Sequence, residues 1–172
     1  MPREIFPNIG YIKSKLNKEA MNRLRSYMKN KKGSHKSSLA GNINQSYNLK
    51  DKNKFDFHFG HNFYLNDNVT SDYFRILNPI IKKLKVNSLI RIKGNLNPIT
   101  PKPFNSKPHK DQSFNCKVAL YYLNTNNGYT VINDEQIKCI KNRIVLFNSS
   151  VEHYGVTCTN EPTKLAINFN YV

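Results

Sequence analysis

His109-Lys110-Asp111 sets an imidazole and a carboxylate two residues apart. On an extended backbone, residues i and i+2 project to one face, so both groups can reach a single ion while Lys110 points away. His153 brings a second imidazole far downstream, at the start of another strand-like segment. Two imidazoles and one carboxylate are the donor set that holds non-haem Fe(II) and leaves coordination positions open for substrate and oxygen. By itself His-x-Asp is a weak pattern, because about one chain in six with this many His and Asp carries one by chance. A rival cluster, Asp56-x-His58-x-x-His61, has its ligands opposite Phe55, Phe57 and Phe59. It reads more simply as the polar side of a core strand.

A second chemical signal lies in the last segment. Lys164, Ala166, Asn168 and Asn170 share one face of a strand, and Leu165, Ile167, Phe169 and Tyr171 share the other. The apolar face would pack under helices. The polar face would look into a barrel, where a cation requires an anionic partner such as the distal carboxylate of a dicarboxylic cosubstrate. The competing reading leaves Lys164 solvated at the exposed start of the strand. Tyr121 and Tyr122 point to opposite sides of their strand, and Tyr122 is the candidate to face the cosubstrate. Asn95 and Asn168 are candidates for cosubstrate contacts or for support of a ligand; Arg91 could bind a substrate anion but reads more simply as solvated, Glu152 as turned outward, and Cys158 as a small buried hydrophobe.

The elements that must position these groups are mostly short strands. Residues 17–32 predict an amphipathic helix with Ala20, Leu24, Tyr27 and Met28 on one face, and residues 33–54 a polar loop. A strand with a bulge near Gly60 follows, then a helix over about 71–85, with Tyr73, Leu77, Ile80, Ile81 and Leu84 on its buried face, that Pro79 kinks or divides. Strands are predicted over 88–93, 116–123, 129–132, 136–140, 143–147, 152–157 and 164–171, with a Pro-rich extended connector from Pro98 to Pro108. Short antiparallel strands at this spacing mean a barrel or sandwich, mainly β with flanking helices. One structural domain is expected, with residues 1–54 as a basic helix and polar loop packed on a core formed by residues 55–172.

Composition narrows the setting. The chain has 172 residues, enough for one domain with a moderate core, and its 38% hydrophobic content argues against global disorder. It has no apolar run long enough to cross a bilayer and no signal-peptide start, so a cytoplasmic protein without a membrane partner is expected. Three cysteines without a Cys-x-x-Cys pair suit reduced thiols. The net charge of +16 has two readings, a polyanionic partner or the Lys and Asn bias of an AT-rich genome.

His109-x-Asp111, the distal His153, and Lys164 further along resemble the prolyl-hydroxylase-like branch of the 2-oxoglutarate and Fe(II) oxygenase superfamily. More narrowly, Ser88-Leu-Ile-Arg-Ile-Lys-Gly-Asn-Leu, Ala119-Leu-Tyr-Tyr-Leu-Asn-Thr and Ile167-Asn-Phe-Asn-Tyr look like small oxygenases of marine bacteriophages. Leu39-Ala-Gly-Asn-Ile is similar to their N-terminal part, so the likeness covers most of the chain. The resemblance implies a double-stranded β-helix (a jelly roll, cupin-like). His109, Asp111 and His153 would hold Fe(II), and Lys164 would clasp the C5 carboxylate of 2-oxoglutarate. It also implies a dioxygenase of hydroxylase type, with O₂ as cosubstrate, succinate and CO₂ as products, and ascorbate as a reductant. Many relatives carry Arg where Lys164 stands, so the grip would be a point charge and not a fork. The substrate stays open between a protein side chain, a nucleobase and a small metabolite. The alternative is a basic jelly-roll protein without turnover that binds nucleic acid or serves in a virion. A phage-encoded chain would work in the host cytoplasm.

Overall fold

The computed structural model describes residues 58–172, together with Gly10–Lys13, Asn22 and Ser26. Asn22 and Ser26 are helical, and the rest of the helix predicted over 17–32 lies outside the described residues. So do the loop over 33–54 and Phe55, Asp56 and Phe57.

Among the described residues there are ten strands: β1 (Gly10–Lys13), β2 (Phe59–Leu65), β3 (Asn68–Val69), β4 (Leu89–Pro98), β5 (Lys117–Tyr122), β6 (Tyr129–Ile132), β7 (Glu135–Lys138), β8 (Arg143–Asn148), β9 (His153–Val156) and β10 (Thr163–Tyr171). Two tight hairpins place both turn residues in the left-handed region, where Asn and Asp are tolerated. These are Asn66-Asp67 between β2 and β3, and Asn133-Asp134 between β6 and β7. The helix expected over 71–85 is in two pieces: a 3₁₀ turn at Phe74–Leu77 and helix α1 at Asn78–Leu84. Pro79 sits in the first turn of α1, where its missing N–H costs nothing. Lys85 closes α1 in the left-handed conformation.

The strands make two antiparallel sheets. The larger runs β1-β8-β5-β10-β4-β2-β3 and the smaller β7-β6-β9. The proline-rich connector adds to the smaller sheet: Asn105 bridges Val156, and His109 bridges His153. This jelly-roll arrangement buries both faces of the larger sheet's centre. On one side Leu165, Ile167, Phe169 and Tyr171 of β10 join Phe63, Leu77, Ile80 and Ile92 under α1. On the other, Val118, Leu120, Tyr122, Val145 and Ala166 meet Ile132 and Ile137 of the smaller sheet.

Three expectations need correction. Phe59 is 46% exposed and so is not a core residue, because it lies at the very start of β2. The bulge falls between Asn62 and Tyr64, while Gly60 pairs regularly with Asn95. Tyr73, expected on the buried helix face, precedes the 3₁₀ turn and is 40% exposed.

Candidate metal centre

His109 and His153 are direct cross-strand partners. Each donates its backbone N–H to the other's carbonyl at 3.0 Å. Opposed residues of an antiparallel pair project to the same face, so this pairing alone brings the two imidazoles together. Their ring centroids are 4.5 Å apart. Asp111, two residues beyond His109, completes the group, and one ligand atom from each of the three lies within 4.8 Å of the others. Asp111 Oδ2 is 4.0 Å from His153 Nε2.

Both imidazoles have a fixed tautomer. His109 Nδ1–H donates to the Lys107 carbonyl and His153 Nδ1–H to the Val151 carbonyl, each at 3.1 Å. A carbonyl only accepts, so the proton sits on Nδ1 and the Nε2 lone pair is free to coordinate. Phe147 packs edge-on against the His153 ring at 4.8 Å. Burial lowers the His153 pKa below the usual 6.5, and His109 adds to the effect, against smaller raising contributions from Asp111 and the Val151 carbonyl. The neutral ligand form is the favoured one.

Asp111 is held from three sides. Its Oδ1 accepts from an Arg91 terminal nitrogen at 3.1 Å. Its Oδ2 accepts from the Asn168 amide at 2.8 Å and the Asn170 amide at 3.2 Å. Asn170 Oδ1 in turn accepts from Arg91 Nε at 3.0 Å. These partners come from paired strands, since Asn170 faces Arg91 and Asn168 faces Lys93 across β10 and β4. Arg91, read from the sequence as solvated, is thus a carboxylate clamp, and Asn170 was not singled out. The donor set fits a divalent ion: two neutral nitrogens and one oriented carboxylate converge, as Fe(II), Mn(II) or Co(II) requires.

The three groups line one end of a cavity of about 390 Å³. Lys164 lines it too, and at 5% exposure it is not the solvated strand start that was one of its two readings. Its ammonium donates to the Tyr129 carbonyl and, at 3.0 Å, to the Val156 carbonyl. Burial lowers its pKa. Two carbonyls leave the third N–H available to a ligand. Gly155 faces it: a Cβ there would stand 3.5 Å from Lys164 Nζ and 3.7 Å from Ser106 Oγ, taking up the space beside the cation.

Asn95 and Asn168 also line the cavity. Tyr122 points to the same interior but does not line it; its hydroxyl donates to Thr130 Oγ1 at 2.8 Å, and Thr130 is the wall. Tyr121 faces the helical side and binds Asn142. Glu152 is exposed, and Cys158 is buried. In the rival cluster, His61 is turned to Ser71 at 2.9 Å, while His58 lines the cavity beside Lys93.

No family model matches the chain, and no curated protein matches it in sequence. Solved structures do match its fold. The chain superposes on the viral collagen prolyl hydroxylase of Paramecium bursaria Chlorella virus-1, in complex with 2-oxoglutarate, with a TM-score of 0.61 at 11% identity, over 95% of this chain and 94% of that one. For a Trichoplax adhaerens prolyl hydroxylase bound to a hypoxia-inducible-factor peptide fragment, the TM-score is 0.59 at 14% identity, over 95% and 83%. For the non-heme α-ketoglutarate-dependent epimerase SnoN of nogalamycin biosynthesis it is 0.61 at 11%, over 96% and 77%. The shared feature is the double-stranded β-helix. One fold serving both hydroxylation and epimerisation shows that the reaction has to be argued from the site.

Proposed function

We propose that this chain is an Fe(II)- and 2-oxoglutarate-dependent dioxygenase of hydroxylase type. His109 Nε2, His153 Nε2 and the Asp111 carboxylate would hold the iron, and Lys164 would pair with the C5 carboxylate of 2-oxoglutarate. The observation that carries this reading is the convergence of the three ligand atoms within 4.8 Å in a cavity that also contains a buried cation which, among the described residues, is bonded to backbone carbonyls and to no carboxylate. The fold shared with prolyl hydroxylases and an α-ketoglutarate-dependent epimerase supports it. When bound, iron and 2-oxoglutarate would activate O₂, the oxidant, with the keto acid leaving as succinate and CO₂.

The chain's own residues then have separate tasks. The backbone carbonyls of Lys107 and Val151 keep both imidazoles in the coordinating tautomer. Arg91, Asn168 and Asn170 hold the Asp111 carboxylate in place through charge-assisted and amide hydrogen bonds. Lys164 offers a single charged donor in a desolvated recess, where an anion repays the cost of burying the cation. Gly155 keeps that recess open. Asn95 would meet the cosubstrate directly, and Tyr122 would act through Thr130. A peptide side chain, as in the Trichoplax complex, and a nucleobase are both substrates of suitable class for the cavity, and a host cytoplasm is the setting the bacteriophage likeness favours.

The decisive experiment is spectroscopic. Anaerobic addition of Fe(II) and 2-oxoglutarate should give a visible charge-transfer band, and His153→Ala should lose it. A wild-type protein without the band would leave a basic jelly-roll binding protein in place of an enzyme. In Lys164→Ala, 2-oxoglutarate affinity should fall about tenfold or more, the loss expected for a buried charge-assisted contact, while Co(II) affinity holds. Unchanged cosubstrate affinity would remove Lys164 from its role.

A further inference from the structure

The cavity carries more positive charge than the metal and cosubstrate can use. Among the described residues its wall holds five cations, Arg91, Lys93, Lys107, Lys110 and Lys164, against one carboxylate, Asp111. A divalent metal and a dianionic keto acid cancel each other, so loading the site leaves this excess in place. Asp111 is already engaged by Arg91, Asn168 and Asn170. Lys164 is assigned to the cosubstrate. Lys107 and Lys110 are exposed at the rim, on either side of His109, where solvent screens them. Lys93 is different.

Lys93 is partly buried, and its ammonium donates to His58 Nε2 at 3.4 Å. Arg91 lies two residues away on the same face of β4, so two like charges stand side by side in a desolvated wall. Burial first, and Arg91 second, lower the Lys93 pKa, with Asp111 as a weaker opposing influence. The register separates Lys93 from the cosubstrate end. Its partner on β10 is Asn168, whereas Lys164 faces Asn97. Those two β10 positions are four residues apart, about 13 Å along the strand. Lys93 therefore stands at the metal end, beside the Asn168 that holds Asp111.

We propose that Lys93, with His58 beside it, forms a second anion subsite that seats an acidic group of the primary substrate, a phosphate or a carboxylate, next to the metal. This rests on the metal and cosubstrate reading above. The rim lysines would draw such a substrate in, and the subsite would fix the distance from its acidic group to the carbon that is oxidised.

The test uses the full chain loaded with Mn(II) and 2-oxoglutarate, with inorganic phosphate as the probe. Paramagnetic broadening of the ³¹P line reports phosphate near the metal without any turnover. Wild type should show saturable broadening. Lys93→Gln should weaken it tenfold or more, Lys93→Arg should retain it, and the outward, exposed Lys117→Gln should leave it unchanged. Acetate competition then identifies the source: displacement at equal concentration points to a carboxylate substrate, and phosphate binding far tighter than acetate to a phosphoryl one. Either supports the subsite. Broadening that is absent, or equal in Lys93→Gln, overturns it. A tenfold loss of 2-oxoglutarate affinity in Lys93→Gln also overturns it, because Lys93 would then grip the cosubstrate. Mn(II) binding, followed separately by its electron paramagnetic resonance signal, distinguishes the failures. No phosphate effect in a wild-type protein that holds Mn(II) sinks the subsite alone, and a wild-type protein that fails to hold Mn(II) sinks the metal reading and the subsite together.

Discussion

The two faces of β10 are made from alternate residues of one nine-residue strand, and they do opposite things. Leu165, Ile167, Phe169 and Tyr171 are all buried among apolar neighbours under α1. Lys164, Ala166, Asn168 and Asn170 are buried almost as completely, at 5, 6, 7 and 0% exposure, yet three of these four are polar. The first face gains free energy from leaving water. The second loses solvation and recovers it through hydrogen bonds, among them those to Asp111, to Arg91, to two backbone carbonyls and between Asn170 and Asn168. A sheet core does not need that second face. Its presence marks where stability has been given up for a site, and the helical face is what makes the loss tolerable.

Breaking the apolar face should give the largest effect. Phe169 is fully buried, and Phe169→Ala should lower the unfolding free energy by about 3–5 kcal/mol in urea denaturation. Metal affinity of the molecules that remain folded should be nearly unchanged, since none of the ligands packs on that side. A loss below about 1 kcal/mol would mean the apolar face is not the stabilising one.

The polar face should answer in the reverse way. Asn168→Ala deletes the 2.8 Å bond to Asp111 Oδ2 and should weaken Co(II) binding about 10–100-fold. In free-energy terms that is about 1.4–2.7 kcal/mol, smaller than the Phe169 effect and located in function. Calorimetric titration measures it. An Asn168→Ala protein that binds metal as wild type does, yet unfolds far more readily, would show that Asn168 serves the fold and not the ligand.

How much of this was legible in the sequence follows from the range of each signal. Strand alternation is local, so the two faces of β10, and the i, i+2 placement of His109 and Asp111, could be read directly. Most strand positions were legible for the same reason, to within a residue or two at the ends of β5, β6, β8, β9 and β10. The Pro-rich connector read only as extended. That it lies against β9, placing His109 opposite His153, depends on a register no local pattern encodes. Arg91 was misread because its partners Asp111 and Asn170 arrive from elsewhere in the chain, and on its own strand it has the appearance of any exposed cation. The bulge was misplaced for a related reason. A glycine suggests a bulge, but the side chains that must reach the helical core decide where it falls, and here the shift lies at Phe63, which is fully buried.

The smallest expected effect separates the metal end from the rest of the fold by pH. Burial holds the His153 pKa below 6.5, against the weaker pull of Asp111 and the Val151 carbonyl and together with the weaker push of His109. In the unfolded chain an ordinary histidine takes up its proton near 6.5. Above that value His153 is neutral in both states and contributes no slope. As pH falls below 6.5 the unfolded state binds the proton first, so stability is lost until the lowered folded pKa is reached. One proton is involved, so the slope cannot exceed about 1.4 kcal/mol per pH unit. Urea unfolding of the chelator-treated protein at pH 7.5, 6.5 and 5.5 should show wild type losing stability between the last two values more steeply than His153→Gln, with the two chains parallel between the first two. Parallel curves over the whole range would mean that the imidazole meets no net desolvation at this end of the cavity, and the claim that its neutral, coordinating form is built in by burial would fall.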